Sequence, residues 1–312
     1  MRSRQAGVAL VLVIWACVLL SLIAASFIVD RRTEALVIAN STSITRAAAA
    51  ADAGIYRAVF ESYRNDGAPD IWQRDGTWHD WGYDDVPVRV EVCDESAKID
   101  LNTASDALLH GLFVSAGLTD DEASALVDAV LDWRDADSLK RLHGAEEDDY
   151  KAAGLPWRPA NAPFQAIEEL QLVLGMRPEL YRRIAPSLTV FSRQAGVNPQ
   201  LASRDVLLAI PGMSPEIVDD YIARREDARA NAQPLPTLAQ AASFMSGNSG
   251  VVSMRAEARL EDGTWFGREA VALLRPAPRK PVTFIAWRET TAEPPPAPGG
   301  AAPGAPNPAA LH

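Results

Sequence analysis

Cysteine is scarce in this chain of 312 residues, which contains only two. Two thiols exclude a scaffold built on several disulfides and a zinc site with four thiolate ligands. Cys17 lies in an apolar run near the start and Cys93 on a predicted strand far beyond it, so geometry argues against a bond between them. Stability must therefore come from packing, and a hydrophobic content of 48% supplies the material for it.

Catalytic motifs are lacking as well. The four histidines, His79, His110, His143 and His312, form no HExxH pair, and the chain has no GxSxG, Walker A or GxGxxG motif. Without a recognisable base, nucleophile or phosphate loop, we expect a protein that is not an enzyme.

Basic residues are in the minority, with 30 Lys and Arg against 41 Asp and Glu and a formal net charge of −11. A field of that sign opposes the approach of a polyanion. No nucleic-acid partner is therefore expected from the overall charge.

Charge is absent altogether from Val8 to Val29. As a helix these 22 residues would span about 33 Å, enough for a bilayer core of about 30 Å. Arg2 and Arg4 precede the run, which predicts an amino end in the cytoplasm and the bulk of the chain across the membrane. A cleaved secretory signal is the alternative, but its apolar region is typically only about 7–15 residues long.

The helical pattern continues beyond the apolar run without Pro or Gly until Gly54. A helix from Val8 to Arg64 would be about 85 Å long. We expect it to end at residues 65–69, which include Asn, Asp, Gly and Pro. At the other end of the chain, residues 289–312 are rich in Pro, Gly and Ala, which predicts a disordered tail.

Strand patterns lie on both sides of a helical region. Apolar residues alternate with polar ones from Val86 to Val92, and further strands are predicted from Val251, Trp265 and Val282. Between them, residues 101–243 follow a helical pattern, so the sheet is predicted to be split by a helical insertion. The tryptophans before the first strand are expected in a loop that packs on the stalk or sheet, or that offers an aromatic binding surface; they are Trp72, Trp78 and Trp81.

Three glycines in the insertion, Gly117, Gly175 and Gly212, each follow an apolar helix pattern and precede a new helix start. They predict turns between short helices, with Gly at positive φ. The last of them belongs to a segment that resembles a helix-hairpin-helix module. Acidic residues on its second helix, including Asp219 and Asp220, would repel a DNA backbone, which favours a structural hairpin.

Carboxylates are concentrated between Asp132 and Tyr150. Closely spaced carboxylates on a loop are the oxygen ligands that Ca²⁺ takes, although the spacing is not that of an EF-hand. The residues alone leave two interpretations open, a solvated acidic loop and a cation site.

The start of the chain, RQAGVALVLVIW, resembles type IV pilin and type II secretion pseudopilin precursors. That family is cut after the Gly, which implies cleavage between Gly7 and Val8. Most members carry Glu five residues into the mature chain, where this sequence has Leu12. A missing Glu is a feature of minor pseudopilin K, the subunit at the fibre tip with no subunit ahead of it.

Four further segments resemble the same subfamily, and the likeness extends over about residues 1–288. The segments are KIDLNTAS, DW-x-D-x-D, GAE-xxx-Y and EEL-xxV-x-GM. Members bind calcium in the helical domain, so the resemblance implies calcium as the cofactor and Asp132, Asp135, Asp137 and Glu146 as ligands. Its implied partners are the minor pseudopilins I and J, the prepilin peptidase and the inner membrane.

We therefore predict an α+β pilin-like fold with a long amino-terminal helix, an antiparallel sheet and a large inserted helical domain resembling helix-hairpin-helix modules. The expected function is a tip subunit that helps to initiate the pseudopilus for protein secretion across the outer membrane. A DNA-contacting minor pilin and, more distantly, a periplasmic hydrolase are the alternatives. The predicted parts are a cytoplasmic leader (1–7), a transmembrane segment (8–29), a periplasmic stalk helix (30–64), a first pilin-like part (65–100), the inserted helical domain (101–245), the carboxy-terminal pilin strands (246–288) and the tail (289–312).

Overall fold

The computed structural model describes residues 6–64, 71–275 and 281–290. Three predictions fall largely on residues outside these ranges: the leader, the segment expected to end the first helix, and the Pro-rich tail. They stay predictions.

The first helix, α1, runs from Ala6 to Tyr63 and has 58 residues, close to the predicted span. The described side chains before Ser43 are exposed, and a buried face begins at Ala47. The helix is long and apolar enough to cross a membrane, a test that a signal sequence or a core helix can also pass. In α1 the apolar part stands clear of the rest of the protein, unlike a core helix.

Five antiparallel strands form one sheet in the order β1-β2-β5-β6-β7. Three of the predicted strands begin at the expected residues, β5 at Val251, β6 at Trp265 and β7 at Val282. The strands are β1 (Asp75–Tyr83), β2 (Val86–Asp94), β5 (Val251–Arg259), β6 (Trp265–Leu274) and β7 (Val282–Thr290).

The carboxy-terminal part of α1 packs on one face of this sheet, in a core made mainly of alanine and valine. Gly54 lies at a close contact between the helix and the strands. A Cβ atom there would be 2.9 Å from the Cβ of Ala256 and 3.0 Å from a methyl carbon of Val88. Small residues thus allow the helix to lie directly on the strands.

The segment around Trp78 and Trp81 is strand β1, so the prediction of a loop there was wrong. It pairs with β2 from Trp78 opposite Glu91 to Tyr83 opposite Val86. Trp72 and Trp81 pack partly buried against the core below the sheet, as expected of the packing interpretation. The pairing with β2 overrides the weak local strand signal of Gly and Asp residues.

Between β2 and β5 lies the predicted helical region. It has its own core, built from larger side chains that include Phe113, Trp133 and Tyr150. Its α-helices are α2 (Asp106–Ser115), α3 (Asp120–Arg134), α4 (Glu147–Ala152), α5 (Pro178–Ile184), α6 (Arg204–Leu208) and α7 (Pro215–Ala230). The short 3₁₀ helices are Glu95–Ala97, Ile167–Leu172, Ala185–Ser187 and Ala239–Phe244.

A two-stranded parallel sheet connects distant parts of this region, with β3 (Ile99–Asp100) paired to β4 (Leu188–Thr189). Polar contacts join the region to the large sheet. Arg229 of α7 lies 2.6 Å from Asp75 of β1, and Arg288 of β7 lies 3.9 Å from Glu168. The two cores therefore meet across ion pairs as well as through the chain connections.

Candidate functional site

Two features singled out in the sequence can be located in α1. Gly7 and Val8 lie in its first turn, and Leu12 follows one turn later with 67% of its surface exposed. An exposed leucine on an apolar helix suits a lipid or helix environment.

The predicted turns of the helical region are confirmed. Gly117, Gly175 and Gly212 have φ values of +98°, +89° and +82°. Helix α3 begins with the expected capping box, in which Thr119 and Glu122 each accept the other's backbone N–H.

At the hairpin of α6 and α7, Arg204 is committed to an ion pair with Asp219, with 2.6 Å between its Nε and the carboxylate. An arginine engaged in this way lowers the positive potential that a DNA backbone would need. The geometry therefore favours a structural hairpin.

Three histidines lie on separate elements within the described ranges. His79 of β1 stacks on Trp72 with ring centroids 4.9 Å apart, and His110 of α2 lies 3.3 Å from a carboxylate oxygen of Asp120. His143 lies on the loop before α4, where its backbone N–H donates to Asp128. His312 is outside the described residues. These positions bring no two of the described histidines onto one element.

The four carboxylates expected to bind calcium surround the loop between α3 and α4. Asp132 lies in the last turn of α3 and is fully buried, and Asp135 follows the helix directly. Asp137 turns the loop by accepting the backbone N–H of Leu139 at 2.8 Å. Glu146 is the residue before α4, and its backbone N–H donates to Asp149.

The buried Asp132 carboxylate anchors the loop through hydrogen bonds. Its two oxygens accept the backbone N–H of Arg141, at 3.3 and 3.2 Å. The loop passes so close that a Cβ on Gly144 would be 1.9 Å from an Asp132 oxygen. Only glycine leaves the backbone room at this position.

Three oxygens beside this loop are buried and have no hydrogen-bond partner among the described residues. They are Asp135 Oδ1, Glu146 Oε1 and Asn161 Oδ1. Glu146 and Asn161 line the same cavity, together with Ser138. Buried oxygens without donors are costly unless a cation or water meets them, and oxygen ligands of this kind are those that Ca²⁺ prefers.

Sequence reasoning missed Asn161. It adopts a positive φ of +45°, and its Nδ2 donates to the backbone carbonyl of Asp137 at 2.7 Å, which ties two distant loops together. An asparagine far along the chain gives no spacing signal, although Asn tolerates such a backbone conformation better than most residues.

The carboxylates of this segment influence one another's pKa values. Burial, followed by repulsion from nearby carboxylates, raises the pKa of Asp132, of Asp135 and of Glu146. For Glu146 the repelling groups are Asp132, Asp135, Asp137 and Asp149. In the described ranges, however, no three Asp, Glu, His or Cys side chains converge closely enough to form a metal site as they stand. Calcium binding at this loop stays a prediction.

Comparison with known proteins shows which family the chain resembles. Residues 93–193 match the family described as Type II secretion system (T2SS), protein K. The type II secretion system protein K of Pseudomonas aeruginosa is 27% identical over 246 residues, which cover 70% of this chain and 73% of that protein. The protein of the same name from Pectobacterium carotovorum is 41% identical over 75 residues, 24% of this chain and 23% of the relative.

A solved structure shares the fold. In the crystal structure of the GspK-GspI-GspJ complex from the enterotoxigenic Escherichia coli type 2 secretion system, one chain matches with a TM-score of 0.56 and 14% identity. The match covers 84% of this chain and all of that one. The α+β fold predicted from the sequence is confirmed, and the chain is similar to the type II secretion system protein K family.

Proposed function

We propose that this protein is a minor pseudopilin that occupies the tip of a type II secretion pseudopilus and helps to initiate its assembly. Similarity to the protein K family, together with an exposed apolar helix joined to a pilin-like sheet, supports this proposal. Its work is assembly and not catalysis. The inner membrane holds α1, with the amino end in the cytoplasm and the folded part in the periplasm.

Minor pseudopilins I and J are the proposed partners, since a solved structure with this fold is that of the GspK-GspI-GspJ complex. The exposed stalk part of α1 offers a surface for them, with Leu36, Val37 and Ile38 each about 60% exposed. Apolar side chains on a helix outside the bilayer are stabilised when a second helix covers them.

Co-purification in detergent tests the partnership with the full chain and its neighbouring pseudopilins. We expect all three to elute together and Leu36→Asp to weaken the complex. Leu139→Asp is the matched control, because Leu139 is 78% exposed on the helical region, away from the stalk. A complex that tolerates Leu36→Asp and is lost with Leu139→Asp would contradict the stalk interface.

Processing by the prepilin peptidase is a second test. Gly7→Val should leave a precursor longer by the leader, because a β-branched residue replaces the small residue before the cut. Mass spectrometry of the mature chain gives the answer. An amino terminus near Ser26 would identify ordinary signal-peptidase cleavage and refute the pseudopilin assignment.

Leu12 bears on the tip position. A carboxylate at this depth needs a partner in the bilayer, and a tip subunit has no preceding amino terminus to neutralise. Leu12→Glu should therefore bring no gain in assembly. Increased incorporation of Leu12→Glu along the fibre, measured by cross-linking of assembled pseudopili, would argue against the tip position.

Calcium is the proposed cofactor, held by Asp132, Asp135, Asp137 and Glu146. The residues present fit it in their chemistry, because Asp135, Glu146 and Asn161 each have a buried oxygen without a hydrogen-bond partner, and oxygen is the ligand atom that calcium prefers. The cation would neutralise carboxylates whose pKa values are raised by burial and by repulsion from one another. It would thereby connect the end of α3 to the start of α4.

Thermal melting of the full chain in detergent tests this proposal. Calcium at a hundredfold excess over Kd should stabilise the protein by about 2.7 kcal/mol, and magnesium by much less. Replacing both Asp135 and Glu146 by Ala should abolish the rise. The control is Asp148→Ala, because the Asp148 side chain is 99% exposed. Equal melting in chelator and in millimolar calcium would reduce the segment to a solvated loop.

A further inference from the structure

Arg141 lies on the loop between α3 and α4, in the midst of the acidic residues. Its guanidinium is 3.5 Å from Asp106, 3.9 Å from Asp128 and 3.8 Å from Asp132. Each of these ion pairs is long, and the arginine side chain remains 42% exposed. The cation is therefore shared among three carboxylates and held tightly by none of them.

The carboxylate that Arg141 shares with the proposed calcium site is Asp132. Asp135 and Glu146, with their unpartnered oxygens, repel Asp132 electrostatically and belong to the same cluster. Asp106, at the start of α2, and Asp128, one turn before Asp132 on α3, lie outside the predicted ligand set. Arg141 thus connects the ligand set with two carboxylates that could retain it.

We propose that Arg141 is the internal counterion of the acidic site: it competes with calcium for Asp132, lowers the calcium affinity, and is retained by Asp106 and Asp128 when the cation binds. This inference rests on the proposed calcium function. Arg141 would thereby determine the calcium concentration at which the cation links the end of α3 to the start of α4.

Electrostatics give the direction of the effect. A guanidinium next to a ligand carboxylate both neutralises that ligand and repels a divalent cation, so its removal strengthens calcium binding. The loop itself does not depend on the guanidinium, because Asp132 anchors it through the backbone N–H of Arg141. A substitution at this position retains that anchor.

Isothermal titration of the full chain in detergent with calcium chloride tests the inference. Arg141→Gln should bind calcium on the order of tenfold more tightly than the wild type, equivalent to about 1.4 kcal/mol. Arg141→Lys preserves the charge and should bind like the wild type. Arg182→Gln is the charge-matched control, because Arg182 pairs with Glu179 on α5 and should leave the affinity unchanged.

A second variant, Asp106→Asn, tests the inference if Arg141→Gln folds poorly. Asp106→Asn removes one of the residues that retain Arg141, so calcium affinity should fall severalfold. That loss should shrink in the double variant with Arg141→Gln, because the two residues act through one ion pair.

The outcomes separate the two proposals. Unchanged or weaker calcium binding by Arg141→Gln, with wild-type binding intact, overturns the role of Arg141 alone. Strictly additive effects of Asp106→Asn and Arg141→Gln do the same. No calcium uptake by the wild type overturns both the role of Arg141 and the calcium site.

Discussion

The two cores of this protein are built by different means. On one face of the sheet, α1 packs against alanine and valine side chains, and Gly54 allows the helix backbone to come close to the strands. In the helical region, large side chains fill the space between short helices, among them Phe113, Trp133 and Tyr150. One core depends on close approach of backbone and the other on side-chain volume.

Charge is handled differently as well. On the outer face of the sheet opposite charges alternate across four strands, with Glu91 opposite Arg255, Arg255 opposite Glu269, and Glu269 opposite Arg288. In the helical region like charges gather around Asp132, and oxygens are left without donors. In the sheet each of these carboxylates therefore has an arginine on a neighbouring strand, whereas in the acidic loop the carboxylates mainly face one another.

The largest expected effect is the loss of volume in the helical core. Trp133→Ala should lower the free energy of unfolding by about 3–5 kcal/mol, because the ring packs between Phe164 and Tyr150. Trp133→Phe retains a ring and removes an unpartnered Nε1, so its cost should be smaller. Hydrogen exchange should show faster opening in α3 than in β5. Equal acceleration in both would indicate a single cooperative core.

Gly54→Leu probes the other core. The side chain would collide with Ala256 and Val88, and we expect a loss of about 1–3 kcal/mol with faster hydrogen exchange in β2 and β5. Gly247→Ala is the matched control, because nothing lies within 4 Å of a Cβ at that position. Unchanged exchange in the sheet of Gly54→Leu would contradict the close packing of α1.

The ion pairs between the helical region and the sheet should contribute less to the free energy of unfolding than either core. Arg229→Met breaks the 2.6 Å ion pair with Asp75, whose two side chains are 20% and 10% exposed, and should cost about 1–2 kcal/mol. Arg288→Met removes exposed pairs and should cost about 0.5 kcal/mol or less. Denaturant titration measures both. An equal cost would show that burial does not set the strength of these pairs.

The smallest effect concerns pH. Because Asp132, Asp135 and Glu146 have raised pKa values, the folded protein binds their protons more tightly than the unfolded chain. The contribution of these three carboxyl groups to the free energy of unfolding is most favourable below about pH 4, the pKa of such groups in the unfolded chain. It is lost as the pH rises through their pKa values in the folded protein. In chelator, Asp135→Asn with Glu146→Gln should raise the melting temperature by a few degrees at pH 7 and by less at pH 4.

Glu122 provides the opposite case for the same pH experiment. Hydrogen bonds from Thr119 lower its pKa, so its stabilising effect is present above the unfolded pKa and is lost on acidification. Glu122→Gln should therefore lower the melting temperature at pH 7 more than at pH 4. The same sign of pH dependence for both variants would contradict the assignment of the raised pKa values to the acidic loop.

Local patterns were reliable where neighbours along the chain decide the structure. The alternation of apolar residues located β2, β5, β6 and β7, and the Thr119–Glu122 pair located the start of α3. Strand β1 escaped prediction, because its formation depends on the free edge of β2 and on a core for Trp81. Neither is visible in the segment itself.

The candidate site likewise contains residues that the local sequence predicts and residues that only the fold brings in. The carboxylates of the acidic loop are close in sequence, so their proximity and their chemistry could be read from the residues. The roles of Asn161 and Arg141 could not, because Asn161 comes from another loop and Arg141 meets Asp106 of a different helix. The local amino-acid sequence determined the apolar helix, the split sheet and the acidic loop, since each depends on local periodicity or composition. Only folding decided which buried oxygens remain without partners, since that depends on groups brought together from far along the chain.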